Sequence, residues 1–306
     1  MWHLLSFLIS CTPEKPPPSF NPDDSTWNST DGAIRVSNYD LEGERILSIL
    51  TRQEPNSLSM LQFHNTNLDS GDAIVISQDR SAKKLSYLSL KDNPIENTGV
   101  QYIAQAPFVK SLVELNLDNT GISSKALEHL LRNPDFAPKK LIIRNNSFHS
   151  SVLHELVKNK KIDTIDLSNC KLTQGGTSLF LAQTHARIVK LNQNDIGIPL
   201  KISPHIEELY LYQTRLTDDQ IKAFAKIEAK GLKHLYLGRL FIEYQTLAHM
   251  THASWFPHLE VLALNPRKQS QEEKDSFSNA YGSHRWLNLN DPPLDQDEKE
   301  KIVDQP

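Results

Sequence analysis

The stretch LSYLSLKDNPI, residues 85–95, has the same apolar spacing as LVELNLDNTGI, residues 112–122, which begins 27 residues later. In both stretches apolar residues occupy positions 1, 4, 6 and 11. A fixed period constrains the fold strongly, because each unit must stack on its neighbours to bury its apolar side. Eleven such units begin at Asp31, Leu58, Leu85, Leu112, Pro138, Ile162, Ala186, Ile206, Leu232, Leu259 and, with a weaker match, His284.

Positions 4 and 6 of these units are apolar throughout. Two apolar residues that flank one variable residue form the period-2 pattern of a short strand with one buried side. The repeats therefore predict eleven short strands. Position 4 is Ile34, Leu61, Leu88, Leu115, Leu141, Ile165, Val189, Leu209, Leu235, Leu262 and Leu287, and position 6 is Val36, Phe63, Leu90, Leu117, Ile143, Leu167, Leu191, Leu211, Leu237, Leu264 and Leu289.

Position 9 is Asn, Thr or Cys in the seven central units, from Thr66 to Thr214. Such small side chains can hydrogen-bond or pack against the backbone of a turn. Between the strands, residues 123–133, 151–161 and 217–227 have helical patterns, and Thr217 is the expected N-cap of the last helix. The unit 186–205 is too short for a helix, and its prolines at 199 and 204 predict an extended return.

The pattern LxxLxLxxNxI at a period of 20–29 residues resembles the leucine-rich repeat family, and its mixed repeat lengths resemble the ribonuclease-inhibitor-like class in part. The resemblance covers residues 31–294. It implies an α/β solenoid, a horseshoe with a parallel β-sheet on the concave side and helical or extended returns on the convex side. We expect one such domain over residues 31–306, with about ten to eleven repeats, and a non-enzymatic role in binding a protein or peptide on the concave face.

The fifth positions of the units, which we call the middle column, should point into the concave face. One part of this column is unusual, because Tyr210 and Tyr236 occupy it on adjacent strands of the C-terminal half. Tyrosine and tryptophan are enriched at interface hot spots, although aromatic side chains also stack across sheets for purely structural reasons. The predicted partner-binding residues are Tyr210, Tyr212, His234, Tyr236 and Trp286, with Lys190, Glu208 and Arg239 as a polar rim.

The N-terminal stretch 1–10 is a candidate signal. LISC, residues 8–11, resembles a bacterial lipobox, in which the cysteine is lipidated after cleavage, and the Pro-rich residues 11–30 have the composition of a tether. This resemblance implies a lipoprotein anchored to the bacterial envelope through Cys11 as its only membrane contact, and Thr12 favours the outer membrane. No Lys or Arg precedes the apolar run, which is also short. The alternative is an N-terminus that packs on the first repeat of a soluble cytoplasmic adaptor.

Composition bears on several other function classes. The formal charge of −4 gives no basic excess for phosphate backbones, so nucleic acid is not an expected partner. Two cysteines cannot form a disulfide framework. Apart from the N-terminus, no apolar run approaches the roughly 20 residues of a membrane-spanning helix.

Catalytic and metal motifs are weak. His249 and His252 share the spacing of a helix face, with His258 following, but no cysteine or carboxylate completes a zinc set nearby. His154–Glu155 does not continue into HExxH, and Cys170 occupies the position-9 site of a packing residue. We therefore predict no catalytic residue, cofactor or metal, and a metal-dependent enzyme around His249 is the third hypothesis.

Overall fold

The computed structural model describes residues 27–30, 32–41, 44–240, 246, 248–266, 270, 272, 275, 279 and 286–288. The strands are β1 (Trp27–Thr30), β2 (Ala33–Ser37), β3 (Met60–His64), β4 (Tyr87–Ser89), β5 (Glu114–Asn116), β6 (Lys140–Ile142), β7 (Thr164–Asp166), β8 (Ile188–Lys190), β9 (Glu208–Tyr210), β10 (His234–Leu240), β11 (Val261–Pro266) and β12 (Trp286–Asn288). The α-helices are α1 (Glu44–Thr51), α2 (Ser70–Gln78), α3 (Glu96–Ile103), α4 (Ser124–Leu131), α5 (Val152–Lys158), α6 (Gln174–Gln183) and α7 (Asp218–Phe224), and short 3₁₀ helices cover Pro107–Lys110, His249–His252 and Phe256–His258.

The strands form one twelve-stranded sheet whose spatial order is the order of the chain. From β2 to β12 each strand pairs in parallel with the next, and equivalent repeat positions lie side by side, as in the register of Leu88 with Leu115 and of Leu115 with Leu141. Each predicted unit contributes one strand. The fold is therefore the predicted α/β leucine-rich-repeat solenoid, with a parallel sheet and alternating returns.

The core follows positions 4 and 6 of the repeats. From Ile34 to Leu264 every side chain at these positions is at most 1% exposed. Full burial of each aliphatic side chain stabilises the fold by about 1.5–3 kcal/mol relative to exposure. The helices add their inner faces to the same core, for example Leu127 and Leu130 of α4. Since every unit covers the next, the core is continuous along the solenoid.

The position-9 side chains connect neighbouring turns, as the sequence predicts. Asn146 is buried; its Oδ1 accepts from the backbone N–H groups of Thr120 and Ile122, and its Nδ2 donates to the carbonyls of Leu117 and Ile143. Asn93 and Asn194 make the same set of bonds in their own units. In the units between these asparagines, position 9 is Thr120 or Cys170. The asparagines thus satisfy backbone groups of two turns each.

Position 8 carries a regularity that the sequence reasoning missed. In the first eight units this residue has a left-handed backbone, with φ between +51° and +58°. Asn, Asp and Gln occupy it throughout, and Asn and Asp tolerate this conformation better than other non-glycine residues because their side chains bond locally. Several of these side chains also bond along the solenoid, as Asn65 does to Asn38 at 3.0 Å. The residues are Asn38, Asn65, Asp92, Asn119, Asn145, Asn169, Gln193 and Gln213.

The returns agree with the predicted helices at α4, α5 and α7. Thr217 caps α7 in a capping box with Gln220. The unit 186–205 has no helix, and its extended return pairs with the next unit through the backbone bond from Ile202 N–H to Glu228 O, 2.8 Å. Gly175 and Gly176 lie in the first turn of α6, where a Cβ on residue 176 would approach the side chain of Ser150 to 2.3 Å.

The N-terminal edge of the sheet differs from the prediction. The strand β1 pairs antiparallel with β2 and covers the first repeat, so the predicted tether 11–30 extends too far along the chain. Cys11 and the predicted signal 1–10 lie outside the described residues. Within the part of the chain that the structure describes, no helix has the length and apolarity needed to cross a membrane.

Candidate functional site

The C-terminal half of the concave face carries an aromatic stack. Tyr210 of β9 and Tyr236 of β10 are register partners in the middle column. Their rings are nearly parallel, 6° apart, with centroids separated by 4.1 Å. One strand earlier, Lys190 of β8 lies over the Tyr210 ring with its Nζ 5.1 Å from the centroid. The repeat spacing therefore places a cation and two aromatic rings in one row.

The hydroxyl of Tyr210 donates to Oε2 of Glu208 at 3.2 Å. Glu208 is two residues earlier on β9, so both side chains point to the same side of the sheet. Burial raises the pKa of the Tyr210 phenol, and the neighbouring Tyr236 and Glu208 raise it further. The phenol is thus a neutral hydrogen-bonding group at physiological pH. The structure brings together four of the predicted residues: Lys190, Glu208, Tyr210 and Tyr236.

His234, predicted beside the tyrosines, lies between two carboxylates. Its Nδ1 is 3.7 Å from Oε1 of Glu208, and its Nε2 is 3.6 Å from Oε2 of Glu260 on the next unit. Its side chain is 26% exposed. His234 therefore connects the tyrosine row to the charged edge of the face.

That edge carries a ladder of alternating charges at position 2 of successive units. Arg187 is 3.3 Å from Asp163 and 3.8 Å from Glu207, and Lys233 is 3.1 Å from Glu207. Each partly exposed pair stabilises the fold by only about 0–1 kcal/mol. The sequence reasoning missed these residues, although the alternating signs at position 2 would have identified them: Lys139, Asp163, Arg187, Glu207, Lys233 and Glu260.

Of the three remaining predicted residues, one is buried and two have side chains outside the described residues. Tyr212 is buried, with 5% of its surface exposed, so its prediction as a contact residue is wrong. It lies at position 7, where the chain leaves the strand, and its backbone N–H donates to Asn192 Oδ1 at 2.8 Å. The backbones of Arg239 and Trp286 lie in β10 and β12, and Trp286 aligns with Val261 of β11. Their side chains lie outside the described residues.

The centre of the concave face differs from the expected row of exposed variable residues. Ser89, Asn116 and Asp166 of the middle column are buried. At position 7, Arg144 donates from Nε to Asp118 Oδ2 at 2.7 Å, and neither side chain is more than 6% exposed. Breaking such a buried pair leaves an uncompensated charge. These buried polar side chains form a packed polar floor at the centre of the face.

The histidine cluster and Cys170 show no catalytic arrangement. No group of three or more His, Cys, Asp or Glu residues that could hold a metal occurs within the described ranges. His249 and His252 instead line a small hollow together with Lys222 of α7 and Lys226, which follows that helix. Cys170 is fully buried and burial raises the pKa of its thiol, so this side chain packs as predicted.

No protein-family model and no curated protein sequence matches this chain. Among solved structures it is similar to a plant peptide hormone receptor, RGFR1 in complex with RGF2, with a TM-score of 0.43 and 13% identity over 79% of this chain and 41% of the receptor chain. It is also similar to a plant ice-binding protein, with a TM-score of 0.37 and 12% identity over 87% of this chain and 76% of that one. The chain thus spans less than half of the receptor chain. The fold assignment rests on the strand register and the buried repeat positions described above.

Proposed function

We propose that this protein is a non-enzymatic binding module that holds a protein or peptide partner on the C-terminal half of its concave face. The observation that carries the proposal is the stack of Tyr210 and Tyr236 beneath the cation of Lys190. Tyrosines combine apolar area with a polar tip and lose little conformational entropy on binding, which is why they are frequent hot spots.

The surroundings of this tyrosine pair support the same use. Arg187 and Lys233 are already paired with carboxylates on the edge, so the edge forms a polar rim around the apolar rings. Interfaces commonly have this arrangement of an apolar centre and a polar rim. A repeat scaffold is also rigid before binding, which lowers the ordering cost of association.

The length of the sheet suits a macromolecular partner. Strands that stack at about 4.8 Å over eleven units give a face on the order of 50 Å long. The packed polar floor of the central units provides a continuous surface on which the partner could extend beyond the tyrosine pair.

The double variant Tyr210→Ala with Tyr236→Ala tests this proposal. Truncation of a hot-spot residue typically costs 2 kcal/mol or more, so we expect a loss of affinity of about thirtyfold or greater. The matched control is Tyr102→Ala, which removes a tyrosine that is 40% exposed on α3 in a convex return. If the double variant still binds the partner and its circular dichroism is unchanged, the interface lies elsewhere. The same conclusion follows if the control variant loses as much affinity.

We further propose that Cys11 is lipidated and anchors the module to the bacterial outer membrane. The lipobox-like LISC and the Pro-rich residues after it support this proposal. Palmitate labelling in cells, compared between the wild type and Cys11→Ala, is the test. Label in the wild type alone supports the anchor, whereas unlabelled, unprocessed protein in the cytosol favours the soluble adaptor.

A further inference from the structure

The convex side of the C-terminal repeats contains a small hollow that the proposed partner site does not use. It is lined by Lys222, Ala225, Lys226, His249 and His252. We call it the basic hollow. Its volume is about 220 Å³, less than the roughly 300–1,000 Å³ of pockets for drug-sized ligands. Its size suits a compact group of a few heavy atoms.

Two neighbouring units build the hollow. Lys222 lies in the last turn of α7 and Lys226 follows just after this helix ends. Across from them, His249 and His252 begin and end one 3₁₀ helix. Residues three apart in a 3₁₀ helix eclipse each other, so both imidazoles lie on the same side, towards α7.

The described residues that line the hollow include two lysines and no acidic residue. Among the described residues, every polar side chain that lines the hollow is basic, and none of these four takes part in an ion pair or hydrogen bond with another described side chain. Asp218 and Asp219 precede Lys222 by four and three residues on α7, but they do not line the hollow. Two lysine ammonium groups on one wall repel each other, and an anion bound in the hollow would reduce this cost.

The helix end does not offset this positive charge. The C-terminus of a helix carries about half of a negative elementary charge, which falls off within its last turn. The two lysines together carry about +2, so the balance favours an anion. The same lysines disfavour a divalent cation, and this argues against the zinc hypothesis that the histidine spacing suggested.

We propose that the basic hollow binds a tetrahedral oxyanion of the phosphate or sulfate class. The lysine ammonium groups would supply the charge, and imidazole N–H groups of His249 and His252 would donate hydrogen bonds from the opposite wall. Charge-assisted bonds of this kind are stronger than neutral ones and suit anionic oxygens.

Isothermal titration of the full chain with inorganic phosphate, at constant ionic strength maintained with sodium chloride, tests the proposal. We expect saturable binding of one phosphate per chain. The double variant Lys222→Gln with Lys226→Gln should raise the Kd by about tenfold or more, since it removes both charged donors. The variant His252→Gln should raise the Kd by a smaller factor. The matched control is Lys83→Gln with Lys84→Gln, which changes the net charge equally at two exposed lysines of another unit.

A parallel titration with a phosphoserine peptide distinguishes the source of the group. Tighter binding of the peptide than of inorganic phosphate indicates a phosphate attached to a protein, and equal binding indicates the free ion. The proposal is overturned if phosphate does not saturate the wild type, or if the control loses as much affinity as the hollow variant. It is also overturned if Zn²⁺ binds stoichiometrically and this binding is lost in His252→Gln.

Discussion

The buried asparagine of the fifth unit allows a quantitative prediction. In Asn146→Ala the backbone N–H groups of Thr120 and Ile122 lose their only side-chain acceptor, at present distances of 3.3 and 3.1 Å. The carbonyls of Leu117 and Ile143 each lose a donor. A buried group left without a partner costs about 1–3 kcal/mol. We expect Asn146→Ala to lower the free energy of unfolding by about 3–5 kcal/mol.

The matched control for this prediction is Thr120→Val in the preceding unit. It removes one buried hydroxyl, which donates to Leu117 O at 2.8 Å, while keeping the side-chain shape. Because that carbonyl retains the amide of Asn146 as a donor, the cost should be about 1 kcal/mol. Equilibrium urea unfolding followed by far-UV circular dichroism, with midpoint and slope both fitted, measures both variants. Equal destabilisation by the two variants would refute the bridging role of the asparagine.

Two further predictions concern single positions. Gly197→Ala should destabilise the fold, because its Cβ would lie 2.0 Å from the carbonyl oxygen of Gln174. Gly175→Ala has open space around it in α6 and should stabilise the fold by about 0.5–1 kcal/mol. Thermal unfolding should therefore show a lower midpoint for the first variant and a higher midpoint for the second. Burial, together with the neighbouring His205 and Lys160, lowers the pKa of His185, so the unfolded chain binds more protons and stability falls as the pH drops below about 6.5. Between about pH 7.5 and 5.5 the free energy of unfolding should decline less in His185→Gln than in the wild type. An identical dependence of this free energy on pH in the two proteins would contradict the role of His185.

The sequence predicted the repeat architecture because burial of positions 4 and 6 leaves one consistent arrangement. A unit such as 112–122 cannot bury both Leu115 and Leu117 unless it forms a strand beside its neighbours. Position 9 was also predictable, since Asn146 has both a donor and an acceptor for the turns it joins. These features follow from spacing and side-chain chemistry alone.

Other features depend on how deeply a side chain lies below its neighbours, and a repeat pattern does not give this depth. Tyr212 and Tyr210 look equivalent in sequence, yet Tyr212 is buried where the chain turns away from β9. Likewise Asp166 lies at a variable position but is 4% exposed. The strand β1 was missed because Trp27–Thr30 does not share the repeat spacing. Its pairing depends on a free sheet edge rather than on its own pattern.

Site-specific photo-crosslinking tests the proposed use of the concave face most directly. A photoreactive phenylalanine analogue replaces Tyr236 in one variant and Tyr102, on the convex helix α3, in the other. We predict that one defined partner, identified by mass spectrometry, crosslinks at position 236 and not at position 102. Crosslinking of that partner at position 102 alone, or equally at both positions, would contradict binding through the tyrosine pair.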